Sequence, residues 1–220
     1  MKLTIFNGSH RGKGSNTKVL LENFISGFSA KDGNTYELAY LNHLKELDRN
    51  VEIFSKSETV LLAFPLYTDC MPYIVKIFIE NLESLCGKEN NPSLGFIVHS
   101  GFPEAVHSRY VERYLIKLSK RLGCKYLGTI IKGGSEGIKD QPQWMTKKTY
   151  KSFLKLGKIF GETGKFDEKI INKLAKPEKY SRLSILIVKI VLKMSDSYWN
   201  KMLKKNNAFE KRFDKPFIVS

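Results

Sequence analysis

Residues 7–17 read NGSHRGKGSNT and concentrate hydroxyl, amide and cationic side chains between an apolar run and a helical pattern. A strand-to-helix connection needs only two to six residues, so this segment is longer than a simple turn requires. Arg11 and Lys13 add positive charge, and backbone N–H groups at a helix start attract a phosphate. Three consecutive residues are able to cap the helix: Ser15, Asn16 and Thr17. The segment predicts an anion site; the alternative is a polar loop that only caps a helix.

A second polar segment, PLYTDCMPY, occupies residues 65–73 and follows an apolar run. Tyr67 lies between two prolines that restrict the backbone. Its ring could cover a planar ligand or close off the core. Asp69 is expected to cap the helix that follows.

A third segment, HSGFPE, occupies residues 99–104, where Ser100 and Gly101 let the backbone approach a ligand closely. His99 and His107 lack an obvious serine or aspartate partner, and we expect both to be structural. The glycine-rich KGGSEG at residues 132–137 is a weaker candidate.

The elements around these segments alternate between strands and helices. Val60–Phe64 is a continuous apolar run, typical of a central parallel strand buried on both faces. Thr17–Phe28 carries a helical apolar stripe, and Glu104–Leu122 is expected to form a long helix. Five such strand–helix units predict an α/β domain with a parallel sheet. In an open parallel sheet, ligands bind beyond the carboxyl ends of the strands, so the three segments should lie at one edge.

Charge divides the chain into two parts. The formal net charge is +15, but residues 1–146 hold 18 of the 37 basic and 15 of the 22 acidic residues. Most of the excess positive charge therefore lies in residues 147–220, which argues against a nucleic-acid-binding fold. We expect a domain over residues 1–164 and a basic helical extension over 165–220. Leu183–Met194 is expected to pack on a partner subunit or the domain, or to lie on an anionic membrane.

Taken together, the three segments resemble the flavodoxin-like superfamily, and more specifically the NAD(P)H-dependent FMN reductases and related small flavin oxidoreductases. NGSHRGKGSNT resembles the phosphate loop of that family, PLYTDCMP its ring loop, and SGFPE the segment after its fourth strand. The resemblance covers about residues 1–160. It implies a doubly wound, five-stranded parallel sheet in the order 2-1-3-4-5.

The resemblance also implies a set of cofactor-binding residues. The FMN phosphate would be held by the first segment, with Arg11 adding attraction: Ser9, His10, Arg11, Ser15, Asn16 and Thr17. The isoalloxazine ring would be bordered by the second: Pro65, Leu66, Tyr67 and Thr68. Its other edge would face the third: Ser100, Gly101 and Phe102. No catalytic side chain and no metal are expected, because the hydride chemistry of the family belongs to flavin N5.

The implied function is an enzyme that passes electrons from NADH or NADPH through FMN to a small-molecule acceptor or a redox protein. Two alternatives remain open: a one-electron carrier or redox sensor, and a non-redox protein whose tail binds an anionic surface. We expect a homo-oligomer, such as a homodimer. Three isolated cysteines and the lack of a visible signal sequence favour the cytoplasm, and each cysteine is expected to be buried.

Overall fold

The computed structural model describes residues 1–88, 90–181, 184–186 and 200–215. The chain divides into two compact units, Met1–Lys179 and Tyr180–Ser220. The first unit holds the sheet and all three polar segments.

A five-stranded parallel sheet forms the centre of the first unit, in the order β2-β1-β3-β4-β5. Its strands are β1 (Lys2–Asn7), β2 (Thr35–Tyr40), β3 (Thr59–Pro65), β4 (Ser93–His99) and β5 (Tyr126–Lys132). This confirms the predicted topology. Strand order reverses between β1 and β3, and the register aligns Pro65 with His99 and His99 with Lys132. The carboxyl ends of these strands are therefore level at one edge.

In the described part of the first unit, six α-helices cover the two faces of the sheet: α1 (Asn16–Phe28), α2 (Leu47–Ser55), α3 (Tyr73–Glu80), α4 (Val106–Leu122), α5 (Gln143–Thr163) and α6 (Glu168–Leu174). Short 3₁₀ helices lie at Gly12–Gly14, Leu44–Glu46, Glu83–Leu85 and Ile138–Asp140. One apolar cluster joins the sheet to α2, α3 and α4, and a second joins it to α1, α5 and α6. The sequence pattern did not locate α2, because Asn50 and Phe54 are its only buried residues.

Two glycines bring α1 and α5 into backbone contact. A Cβ atom at Gly27 would lie 1.9 Å from the carbonyl oxygen of Leu154, and one at Gly157 would lie 1.9 Å from that of Phe24. Any larger side chain would force the helices apart. The crossing fixes the position of α1, whose first turn carries Asn16.

The first unit continues past residue 164, the expected end of the domain. Phe166 stacks on Phe160 with ring centroids 4.8 Å apart, and Leu174 is buried in the same cluster. The carbonyl of Pro177 accepts the N–H of Ala105 at 2.9 Å, just before α4 begins. These contacts hold residues 165–179 against the sheet domain. The expected boundary at residue 164, between the domain and the basic extension, stays a prediction.

In the second unit, residues 184–186 and 200–205 are helical. The predicted apolar helix Leu183–Met194 lies outside the described residues except for 184–186. Among the described residues, no helix has the length and apolarity needed to cross a membrane.

Candidate functional site

The loop between β1 and α1 is held by its own polar groups. Gly12 adopts a positive φ of +48°, which begins a tight turn. Ser15 caps α1 by accepting the N–H of Lys18 at 3.1 Å, and it is one of the three residues that the sequence analysis named as possible caps. The Ser15 hydroxyl donates to the Gly12 carbonyl at 2.7 Å, and the Asn7 amide donates to Ser15 at 3.3 Å. The Ser15 side chain therefore shapes the loop, and its predicted contact with a phosphate stays a prediction.

The first turn of α1 presents donors and one unsatisfied acceptor. The first N–H groups of a helix have no partner within it, which applies to Asn16 and Thr17. Both residues are buried, as is Ser9. The side-chain Oδ1 of Asn16 is buried without a hydrogen-bond partner among the described residues. A buried polar atom in this state costs free energy, and a ligand hydroxyl or N–H would satisfy it.

A chain of hydrogen bonds runs along the lining of the cleft described below, from α1 through β4 to the loop after β5. Thr17 Oγ1 lies 2.7 Å from His99 Nε2, and His99 Nδ1 lies 2.8 Å from Ser135 Oγ. The Ser135 hydroxyl also donates to the Ser100 carbonyl at 3.0 Å. Thr17, His99, Ser100 and Ser135 are all buried. We call this chain the His99 relay.

His99 is neutral in this setting. Burial, together with the nearby positive charge of Lys132, lowers its pKa to about 3. Burial also lowers the pKa of Lys132, whose ammonium group donates to the Gly133 carbonyl. A neutral imidazole carries one proton on one of its two ring nitrogens. The expectation of a hydrogen-bonded structural histidine is consistent with these contacts.

One cleft brings the three polar segments together at the carboxyl edge of the sheet. Its cavity volume is about 30 Å³. Most of the predicted cofactor residues line it: Ser9, Arg11, Asn16, Thr17, Pro65, Leu66, Tyr67, Ser100 and Gly101. The cleft lining does not include four others: His10, Ser15, Thr68 and Phe102.

Exposed rings surround the outer part of this edge. Tyr67 is 45% exposed and Phe102 is 51% exposed. The His10 ring stacks on Tyr73 at 4.9 Å between centroids and lies 6.3 Å from Tyr67. Phe102 stacks on His107 at 4.6 Å. Unlike the buried relay, these groups are held mainly by ring contacts.

The turn between Tyr67 and Cys70 is strained. Thr68 and Asp69 have φ values of 49° and 64°, in the left-handed region that favours glycine. Tyr67 and Cys70 exchange backbone hydrogen bonds of 2.8 and 3.1 Å across it. The turn thereby holds the exposed Tyr67 at the mouth of the cleft.

Asp69 does not cap α3, so that expectation was wrong. The N-cap position belongs to Pro72, which makes no side-chain cap bond, and Asp69 lies too early in the chain to take its place. The Asp69 carboxylate instead accepts from His107 Nδ1 at 3.0 Å. The contact ties the strained turn to the start of α4.

Sequence reasoning underrated the loop after β5. Ser135 and Glu136 line the cleft with the three predicted segments. The Arg11 guanidinium lies 4.0 Å from the Glu136 carboxylate, and Lys139 donates to the Gly14 carbonyl at 3.0 Å. The sequence feature that indicates this part of the cleft is KGGSEG, a glycine-rich segment that follows a predicted strand at the same sheet edge.

Among the described residues, no cluster of three or more histidine, cysteine or acidic residues could hold a metal ion. The cysteines differ in exposure: Cys70 is exposed, Cys86 is half-buried and Cys124 is buried. The expectation that all three are buried was wrong, because Cys70 lies in the exposed turn after Tyr67. Burial raises the pKa of the Cys124 thiol to about 11, which leaves it protonated and unreactive at neutral pH.

No family model and no curated protein matches the chain. Solved structures do. An FMN-dependent NADH-azoreductase from Bacillus anthracis, in complex with FMN, matches at a TM-score of 0.56 and 13% identity, over 73% of this chain and 100% of that chain. An NAD(P)H:quinone oxidoreductase from Methanothermobacter marburgensis matches at a TM-score of 0.58 and 15% identity, over 72% of this chain and 96% of that chain.

The Trp repressor binding protein from Bacillus subtilis is a further match, with a TM-score of 0.54 and 19% identity, over 70% of this chain and 96% of that chain. At these identities the likeness establishes the fold. The chain therefore has a flavodoxin-like fold, as the resemblance of its three loops implied.

Proposed function

We propose that the protein is an FMN-dependent oxidoreductase that passes electrons from NADH or NADPH to a small-molecule acceptor or a redox protein. The observation that carries this proposal is the single cleft in which three strand-end loops meet the first turn of α1. This is the position where the fold class binds ligands. The solved structures with the same fold include one described as an FMN complex.

The residues at the inner end of the cleft fit a phosphate monoester. The first N–H groups of α1 and the positive end of its dipole favour an anion. Ser9 and Thr17 line the cleft beside them, and the exposed Arg11, 4.0 Å from Glu136, adds positive charge. The unsatisfied Oδ1 of Asn16 would accept a hydrogen bond from a hydroxyl of the ribityl chain. These groups would hold FMN by its phosphate and sugar-like chain.

The residues at the outer end fit a planar ring. Leu66 is buried and the ring of Tyr67 is half exposed, and both line the cleft with apolar side chains. Ser100 and Gly101 also line the cleft, and the absence of a Cβ at Gly101 allows its backbone to approach a ligand closely. When bound, FMN would supply the electron-transfer chemistry. The side chains of the protein would bind and orient the ring and exclude water from it.

We further infer a homo-oligomer in the cytoplasm. The exposed face of α4 supports self-association, because Tyr110 and Tyr114, one helical turn apart, are 68% and 38% exposed. Exposed large apolar side chains that lie close together are typical of an interaction surface. The nature of the electron acceptor and any membrane contact of Leu183–Met194 are also predictions.

Reconstitution with FMN tests the function directly. The purified protein, stripped of bound small molecules and incubated with FMN, should retain a yellow chromophore through gel filtration. Anaerobic addition of NADH or NADPH should bleach the flavin absorbance. A protein that binds FMN but is not reduced by either nucleotide would support the electron-carrier alternative. Failure to retain FMN would contradict the proposal.

A further inference from the structure

The hydrogen bonds of the His99 relay all donate in one direction, and the Ser100 carbonyl determines that direction. The Ser100 carbonyl can only accept, so its 3.0 Å contact with Ser135 Oγ is a hydrogen bond only when the Ser135 proton points toward it. The neutral His99 ring must then donate from Nδ1 to Ser135. Its Nε2 is left without a proton and accepts the hydroxyl of Thr17.

In this arrangement all three contacts of the relay are hydrogen bonds. The hydroxyl proton of Thr17 points inward to His99, so Thr17 cannot donate it to a ligand in the cleft. The oxygen of Thr17 can only accept from that side. A fully ionised phosphate has only acceptor oxygens, so it could not form a hydrogen bond with the Thr17 oxygen in this arrangement.

The relay can also run the other way at a small cost. Ser135 would donate to His99 Nδ1, and His99 Nε2–H would donate to Thr17, which frees the Thr17 proton for the cleft. This arrangement loses only the bond from the Ser135 hydroxyl to Ser100. The Ser100 carbonyl still accepts the backbone N–H of Ser135 at 2.9 Å, so it is not left unsatisfied.

We propose that a phosphate group in the cleft reverses the His99 relay, so that His99 changes from the Nδ1–H to the Nε2–H tautomer and Thr17 donates to the phosphate. This inference rests on the proposed function, because it takes the FMN phosphate as the anion. A hydrogen bond to a charged acceptor is roughly twice as strong as a neutral one, so it outweighs the bond lost at Ser100. His99 thus acts as a positioning residue through Thr17.

The reversal predicts selectivity for a phosphorylated flavin. Without an anion, the relay returns to the arrangement with three internal bonds, so riboflavin should leave His99 in the Nδ1–H form.

Nitrogen NMR of the full-length protein labelled with ¹⁵N-histidine tests the tautomer directly. The chain has four histidines, and the His99 signals are assigned by their loss in His99→Gln. The free protein should show a protonated Nδ1 and an unprotonated Nε2. Saturating FMN, or inorganic phosphate alone, should exchange these two signals, and riboflavin should not. Flavin fluorescence in the same samples reports whether FMN is bound.

The outcomes separate this inference from the proposed function. If FMN binds and His99 keeps Nδ1–H, the relay proposal is overturned and the FMN function stands. If FMN fails to bind but inorganic phosphate exchanges the signals, the function fails and the relay stands. An Nε2–H tautomer in the free protein, or no exchange with either ligand, overturns the relay.

Ser135→Ala provides a second test, because it removes the hydroxyl that selects the free-state arrangement. The free variant should lose its preference for Nδ1–H, and its affinity for FMN relative to riboflavin should rise on the order of 5-fold. A merely structural role of Ser135 would weaken both flavins equally, which would count against the relay. Ser26→Ala, at an exposed position of α1, is the matched control.

Discussion

The two ends of the cleft are built on different physical principles. At the inner end, Thr17, His99 and Ser135 are buried and joined by hydrogen bonds of 2.7 and 2.8 Å. At the outer end, the Tyr67 ring is 45% exposed and lies 6.3 Å from the His10 ring. The inner end can therefore recognise a charged group through buried hydrogen bonds, whereas the outer end offers apolar surface to many planar molecules.

This difference assigns separate tasks to the two ends. Burial makes hydrogen bonds at the inner end selective, because an unpaired polar group there is costly. The outer end gains from contact area and stacking, which tolerate changes in the molecule bound. We expect the inner end to choose the cofactor and the outer end to accept the ring and the nucleotide that approaches it.

The largest expected effect is a loss of stability in acid that originates at the inner end. Burial holds the pKa of His99 at about 3, below its ordinary 6.5. Between these two pH values the unfolded chain binds a proton at His99 and the folded chain does not. The contribution of neutral His99 to the free energy of unfolding is fully present above pH 6.5 and is lost as the pH falls from 6.5 toward 3. The free energy of unfolding should fall by at most about 1.4 kcal/mol per pH unit in that range.

Urea unfolding at pH 4 to 7 measures this slope. His99→Gln should flatten it, whereas His43→Gln, at an exposed histidine, should leave it as in the wild type. An unchanged slope in His99→Gln would show that the inner end is not the acid-sensitive part of the domain.

A substitution at the α1–α5 crossing should disturb the inner end from a distance. Gly157→Ala places a Cβ against the Phe24 carbonyl, so the helices must separate and the first turn of α1 must move. We expect a loss of about 1–3 kcal/mol in the free energy of unfolding, together with weaker FMN binding. Thermal melts and FMN titration measure both effects.

Gly14→Ala is the control for stability, because a Cβ at that position meets no atom within 4 Å. If Gly157→Ala were as stable as the wild type, the two helices would not depend on backbone contact at this crossing.

Replacing Thr17 should weaken the binding of FMN and leave the binding of riboflavin nearly unchanged. Thr17→Val removes the hydroxyl that faces the phosphate in the reversed relay, so FMN affinity should fall on the order of 10-fold. Riboflavin affinity should change little. Thr17→Ser retains the hydroxyl and should behave like the wild type, and Thr35→Val, at an exposed residue of β2, is the unrelated control. Equal losses for both flavins would mean that Thr17 does not contact the phosphate.

The smallest expected effect lies at the outer end. Tyr67→Ala removes a ring at the cleft mouth, and both FMN and riboflavin should bind about 2- to 10-fold more weakly. Tyr36→Ala, at an exposed tyrosine of β2, should bind both as the wild type does. A loss confined to FMN would place Tyr67 at the phosphate and remove the distinction between the two ends.

Much of this arrangement could be predicted from the sequence. The alternation of apolar runs and helical stripes predicts a parallel sheet, and the edge rule then places residues 8–17, 65–72 and 100–104 together. The roles of individual groups within the loops were harder. Asp69 reads as a helix cap, but its carboxylate contacts His107, which lies far along the chain. The sequence offers Ser15 both as a helix cap and as a phosphate ligand; its side chain caps α1 and bonds to Gly12, and its contact with a phosphate stays a prediction.

The His99 relay could not be found from sequence because its members come from three separate elements. Thr17, His99 and Ser135 are brought together only by the strand order, and none of them has a partner at helical or strand spacing. Short polar residues such as Ser135 are common in loops and carry no signal of burial. Tertiary packing alone makes these three residues a unit.

The affinities of the wild-type protein for FMN and riboflavin, measured side by side by quenching of flavin fluorescence, test the central claim most directly. The two molecules share the ring and the ribityl chain and differ in the phosphate. If the inner end is a phosphate site, FMN should bind at least about 10-fold more tightly, since each hydrogen bond to a charged group contributes about 1.5–3 kcal/mol. Equal affinities would contradict the assignment of the inner end of the cleft.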